Sequence, residues 1–225
     1  MSLIWQTLID IQQSFEDQFN STGIEIQEPG LKRFNWYNKV WTSEHYRRAH
    51  IDVVDARDTK GLWMMHCCVF PHLNNGAPIF GYDVIAGKNK ITGCFLDFSP
   101  VSGPHPMMEE FYESVKYLEW KKTRALPDWA ERIFSGGMIA ASNVKDIEEL
   151  EQIKTVVLTN LDYYLSNVGL TNGQSADTTV TQNYYCENQQ SNPHTPKVMT
   201  SLGLDEEDVR VFIQDCLFPK VGGQR

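Results

Sequence analysis

A chain of 225 residues, 41% hydrophobic and 12% aromatic, can bury one sizeable core, so a single domain covering 1–225 is expected. The formal charge of -9 argues against a general nucleic-acid binder, which needs clustered Lys and Arg, although a local basic patch is compatible with it. No run of about 18 apolar residues is available to span a membrane, and no basic segment followed by an apolar one marks a secretory signal.

Leu3, Ile4, Leu8, Ile11, Phe15 and Phe19 recur at helical spacing, which predicts an amphipathic helix over 3–19. Residues 24–60 are less regular but hold strand-like pieces, among them 49–54. Runs of β type follow at 62–70, 78–86 and 91–98, and the turn-forming link Gly87-Lys88-Asn89-Lys90 predicts a hairpin from the last two. Residues 107–122 read as helix and 133–141 as strand. Asn143 or Asp146 is placed to cap a long helix with Ile147, Leu150, Ile153, Val157, Leu161 and Leu165 on one face. The polar stretch 169–196 has too little apolar content for core and is expected to be a long surface or active-site loop. A last helix is predicted at about 205–217, and the tail 222–225 is expected to be disordered. The expected fold is α/β: a three-layer α/β/α sandwich with a central, mainly antiparallel sheet.

The common chemical motifs are absent. No GxGxxG or GxxxxGK[ST] supports nucleotide binding, and neither GxSxG nor HExxH occurs. Cys67, Cys68, Cys94, Cys186 and Cys216 form no CxxC pair, a reduced, cytoplasmic pattern in which no metal is expected. The adjacent Cys67 and Cys68 point opposite ways on a strand, and the Met64-Met65 and Met107-Met108 pairs read as core or pocket lining.

What remains is a set of titratable residues on apolar strands. His50 and Asp52, two apart, share a strand face; His66 lies within the apolar run 63–70 and Asp83 within 79–85. Counting from the tight turn, Asp83 is expected opposite Cys94, with Thr92 on its face and Asp97 on the other side. A mid-sheet carboxylate is costly unless paired or functional. Singly, each residue has an ordinary reading as a hydrogen-bonded core His or a surface Asp. Together on neighbouring strands they read as an acid/base site working near neutral pH. The basic cluster Trp120-Lys121-Lys122-Thr123-Arg124 is either a solvated helix end or an anion clamp or docking patch for an acidic partner.

Seven segments carry a resemblance: His50-Ile51-Asp52, 65–71, 78–83, 96–100, 124–129, 185–190 and Leu217-Phe218-Pro219 follow one another as in the ferredoxin-dependent bilin reductases. Over about 45–219 the pattern is similar to the phycocyanobilin-forming PcyA branch and, within the family, to the compact phage-associated PcyX members that form phycoerythrobilin. The resemblance implies an oxidoreductase with biliverdin IXα between the sheet and the C-terminal helices. It implies single electrons from an external [2Fe-2S] ferredoxin, coupled to proton delivery, through bilin radicals. No bound flavin or metal is implied, because the substrate supplies its own conjugated electron sink. A cytoplasmic monomer of a bacterial or phage-infected cell is expected, with no nucleic-acid or membrane partner.

Residue by residue, Asp83 matches the family's central proton-donating Asp, His66 its His partner, and His50 a second His of the proton network. Thr92 stands where a small hydroxyl residue contacts a propionate, and Arg124 matches a propionate-binding Arg, for which a bidentate guanidinium is suited. Asp52 replaces a Glu that serves reduction of the D-ring vinyl group; one methylene shorter, its proton falls short by more than about 1 Å. Where several relatives carry an Asp that protonates the A ring, this chain has Asn192, Pro193 or His194; Asn192, with Gln189, is expected to line the pocket. The product implied is phycoerythrobilin by way of 15,16-dihydrobiliverdin, with phycocyanobilin as the alternative. A non-catalytic bilin or haem carrier is the competing class, which needs a pocket but no acids aimed at the pyrrole nitrogens. An α/β domain for an unrelated ligand is the third reading.

Overall fold

Strands whose residues alternate between two buried faces build the centre of the molecule. In the computed structural model, which describes residues 2–170 and 177–222, seven strands lie side by side in chain order. They are β1 (Ile24–Ile26), β2 (Tyr37–Thr42), β3 (Tyr46–Ala56), β4 (Leu62–Pro71), β5 (Ile79–Gly87), β6 (Lys90–Ser99) and β7 (Ile139–Ala141), and every neighbouring pair is antiparallel.

One face is covered by α1 (Leu3–Thr22), α3 (Pro106–Val115) and α5 (Ile147–Asn167); the short α2 (Arg57–Lys60) links β3 to β4 through Gly61, whose φ of 62° suits glycine. Ser2 caps α1 by accepting from the Trp5 N–H; of the expected stripe, Ile4, Leu8, Ile11, Phe15 and Phe19 are buried, while Leu3 is exposed. Asp146, rather than Asn143, caps α5 through the Glu149 N–H. The opposite face carries α4 (Asp128–Glu131), α6 (Thr179–Gln190), α7 (His194–Ser201), α8 (Glu206–Val211) and a π-helical turn, Phe212–Leu217. The expected three-layer α/β/α sandwich is the architecture found.

Several local expectations change. The polar stretch 169–196 is largely helical, in α6 and the start of α7, while 171–176 lie outside the described residues. Helix α6 buries Gln182, Tyr185, Cys186, Asn188 and Gln189, and its polar ends find partners: Gln182 donates to the Pro71 carbonyl at 3.2 Å and Gln189 to the Tyr185 hydroxyl at 2.9 Å. Apolar content understates a helix whose buried groups are hydrogen-bonded. The helix expected to reach 122 stops at Val115, and of the strand expected over 133–141 only Ile139–Ala141 pairs. Ile133 is instead packed in the core on the α6 side. Of the tail, Gly222 sits in a turn and 223–225 lie outside the described residues.

The hairpin register also differs. Next to the turn, Gly87 faces Lys90 and Ala86 faces Ile91, but a bulge then leaves Thr92 as an extra residue, so Ile85 faces Gly93 and Asp83 faces Phe95. Cys94 consequently pairs with Val84. Asp97, opposite Gly81, shares the face of Asp83 instead of pointing away.

Candidate active site

Register aligns the titratable residues. Asn38 on β2 faces Asp52 on β3, Asp52 faces His66 on β4, and His66 faces Asp83 on β5, so the side chains form one row across the sheet. Alternation sends the intervening Cys67, Tyr82, Val84 and Leu96 into the core under α1 and α5. Between the polar face and the C-terminal layer lies a cavity of about 250 Å³. Asp52, His66, Asp83 and Asp97 line it from the sheet. Arg124 and Trp129 line it from the segment around α4, Tyr185, Gln189 and Asn192 from α6 and just beyond, and Phe212 and Phe218 from the C-terminus.

Enclosure sets the proton affinities. Burial pushes the Asp83 carboxyl up to about 7, against the pull of the Arg124 guanidinium. Burial likewise pushes Asp52 up to about 7, opposed by hydrogen bonds from Trp36 and Asn38 and assisted by the charge of Asp83. His66 is driven down to about 3 by burial and by the positive charge of Arg48, and His50 well below its ordinary value for the same reasons. Near neutral pH both carboxyls are therefore close to half-protonated, beside neutral imidazoles. Asp97, raised to about 6 by burial, accepts from Ser99 Oγ at 2.6 Å and from the Ser135 N–H at 3.1 Å, so it fastens the segment after α4 to the sheet. His66 Nε2 and His50 Nδ1 are buried without a hydrogen-bond partner among the described residues. Such atoms cost about 1–3 kcal/mol each.

The structure brings Asp52, His66, Asp83, Arg124, Gln189 and Asn192 to one cavity. His50 and Thr92 are not among its lining residues. His50 is fully buried and pairs through Nε2 with Asn38 Oδ1 at 2.9 Å, one step behind Asp52. Thr92 sits at the bulge, its hydroxyl donating to the Ile85 carbonyl at 2.9 Å while its own carbonyl accepts from Arg124 Nη2 at 2.8 Å. His194 lines the cavity beside Asn192, whose Oδ1 accepts from the His194 N–H. Sequence reasoning missed Asp97 as a wall residue, although a carboxylate in an apolar strand was the same signal that singled out Asp83. It also missed Trp129, Tyr185 and Phe212, for which aromatic character alone gave no signal.

The family model described as ferredoxin-dependent bilin reductase matches residues 4–219. The chain belongs to the ferredoxin-dependent bilin reductase family. It is accordingly an oxidoreductase. Among curated bilin reductases, the phycocyanobilin:ferredoxin oxidoreductase of Synechococcus sp. (strain CC9902) is 29% identical over 189 residues, which is 80% of this chain and 74% of that one. That of Trichodesmium erythraeum (strain IMS101) is 25% identical over 169 residues, 72% and 67% of the two chains. A solved PcyX structure superposes with a TM-score of 0.71 at 37% identity, covering 96% of this chain and 99% of its own. Phytochromobilin synthase from tomato, solved in complex with biliverdin, shares the fold at a TM-score of 0.74 and 15% identity, over 95% and 82% of the chains. No helix among the described residues is long and apolar enough to cross a membrane.

Proposed function

We propose that this bilin reductase converts biliverdin IXα to phycoerythrobilin by way of 15,16-dihydrobiliverdin, with single electrons from a [2Fe-2S] ferredoxin. The observation that carries the reading is the Asp52–His66–Asp83 row facing the cavity. Each double bond reduced takes two electrons and two protons. The electrons come from outside, so the chain's task is to hold the tetrapyrrole and place protons. Asp83, with a proton affinity near neutrality, is the donor, and neutral His66 beside it orients and reloads it. His50 acts from behind, holding Asn38 against the row.

Arg124 binds a propionate at the rim, steadied by the Thr92 carbonyl, and Gln189 and Asn192 contact the tetrapyrrole from the helical side. Asp52 is both short and hydrogen-bonded to Trp36 at 2.6 Å, so the D-ring vinyl group receives no proton from it. Reduction then falls on the 15,16 bridge and next on the A ring. The 37% identity to a PcyX structure over nearly the whole chain, and the biliverdin in the fold-sharing tomato enzyme, support this assignment.

The test is an anaerobic assay with biliverdin and reduced ferredoxin, with products separated against bilin standards. Phycoerythrobilin is the expected main product. Phycocyanobilin as the main product refutes the regiochemistry, and biliverdin bound but never reduced shows a carrier instead.

A further inference from the structure

We infer that Trp36 is a positioning residue of this reduction: its indole N–H holds Oδ2 of Asp52 as a hydrogen-bond acceptor and favours the carboxylate, so that Asp52 is restrained from serving as a second proton donor into the cavity. The inference deepens, and rests on, the role given to Asp52 above.

Trp36 lies just before β2, and its Nε1–H donates to Asp52 Oδ2 at 2.6 Å. The indole cannot swing away, because it is packed between Phe34, with ring centroids 5.0 Å apart, and Phe212 of the π-helical turn, at 5.3 Å. Phe34 and Phe212 also meet each other at 5.1 Å, so three rings hold one geometry. On its inner side Trp36 meets an acid that is only 4% exposed. Asp52 itself lines the main cavity, so the Trp36 contact is made at its edge, from the segment before β2.

The chemistry of that partner decides what the row can do. An indole N–H donates but neither accepts nor titrates, so it cannot pass a proton as a water, a hydroxyl or an imidazole could. Trp36 therefore gives Asp52 no proton, and any proton Asp52 takes up comes from the cavity side or from its other neighbours. The same N–H stabilises the carboxylate form, which limits how far burial raises the proton affinity of Asp52. The other charged and titratable groups around Asp52 are Arg48 and His50 on β3, His66 on β4, Asp83 on β5 and Cys216 on the π-helical turn.

Trp36→Phe keeps a ring between Phe34 and Phe212 and deletes only the N–H. In substrate-free protein the protonation midpoint of Asp52, read from the infrared carbonyl band that Asp52→Asn abolishes, should rise by about one pH unit. In turnover with biliverdin and reduced ferredoxin, the ratio of bilin products should change at least about threefold, as a freed and protonated Asp52 becomes a second donor. An unmoved midpoint overturns the inference, and so does a moved midpoint with an unchanged product ratio.

A measurement on the wild-type chain does not depend on the variant folding. Of the six tryptophans, one indole N–H resonance should titrate with the Asp52 midpoint and cease to do so in Asp52→Asn. If none does, the contact is not made in solution and the inference falls. A wild-type product other than phycoerythrobilin, with both Trp36 effects present, would remove the product assignment and leave this inference standing.

Discussion

The two faces of one sheet contain alternate residues of the same strands, yet they carry opposite chemistry. Toward α1 and α5, Phe80 and Phe98 meet Phe15, Phe111 and Tyr164, with Phe98 and Phe111 stacked at 4.5 Å and the Tyr164 hydroxyl donating to the Pro78 carbonyl at 2.8 Å. Toward the C-terminal layer the same strands present Asp52, His66, Asp83 and Asp97 around a cavity, with His66 Nε2 unpaired among the described residues. Dense aromatic packing stabilises; enclosed carboxyls and orphaned nitrogens do not. Packing and titratable groups are divided between the faces, and the polar face persists because the apolar face secures the same strands from behind.

The division can be broken most sharply at Asp83. Asp83→Asn should lower turnover by a factor of about 10²–10⁴, in the range for loss of a general acid, while biliverdin binding changes little. Single-turnover kinetics beside a binding titration would separate the two; turnover within about threefold of wild type removes Asp83 from its role. On the other face, Phe98→Ala should cost about 3–5 kcal/mol in denaturant unfolding while the folded fraction keeps its rate. A cost below about 1 kcal/mol would mean that stability is not concentrated there.

Arg124→Ala tests the rim of the polar face. Loss of a charge-assisted contact of about 1.5–3 kcal/mol should weaken biliverdin binding by about ten- to hundredfold with kcat almost unchanged. An unaltered dissociation constant would return Arg124 to the solvated surface.

The most gradual effect is a pH dependence with a defined sign. Asp83 holds its proton in the folded state up to about 7, above its ordinary value of 3.8. Its contribution to stability is therefore complete below about pH 4 and is lost as pH rises toward 7. Asp83→Asn should accordingly gain on wild type between those limits, by at most about 1 kcal/mol per pH unit because the cavity admits some solvent screening. Unfolding curves at several pH values measure this, and a constant difference from pH 4 to 7 contradicts it.

Much of this division was legible before any coordinates. The period-two placement of His50 with Asp52, and the solitary Asp83 and His66 in apolar runs, marked the polar face. The helical stripe from Ile4 to Phe19 and a cap at Asn143 or Asp146, which the structure resolves to Asp146, marked the opposite layer. The seven ordered segments indicated the family. These signals are local or one-dimensional, and a single chain carries them whole.

What the sequence by itself determined is thus which titratable residues stand in apolar strands, and that helices close the sheet from both sides. The tertiary structure alone decided how the strands align. One extra residue at Thr92 moves Asp97 from the far face to the cavity, and the energy of a bulge is settled by the partner strand, not by the bulged residue. It decided that polar α6 is helix, because Gln182 and Gln189 are satisfied by the Pro71 carbonyl and the Tyr185 hydroxyl. It also decided that Trp36, sixteen positions before Asp52, donates its indole N–H to that carboxyl. Such contacts join groups whose separation along the chain says nothing of their distance in space, and only packing of the whole sheet against its helices brings them within a hydrogen bond.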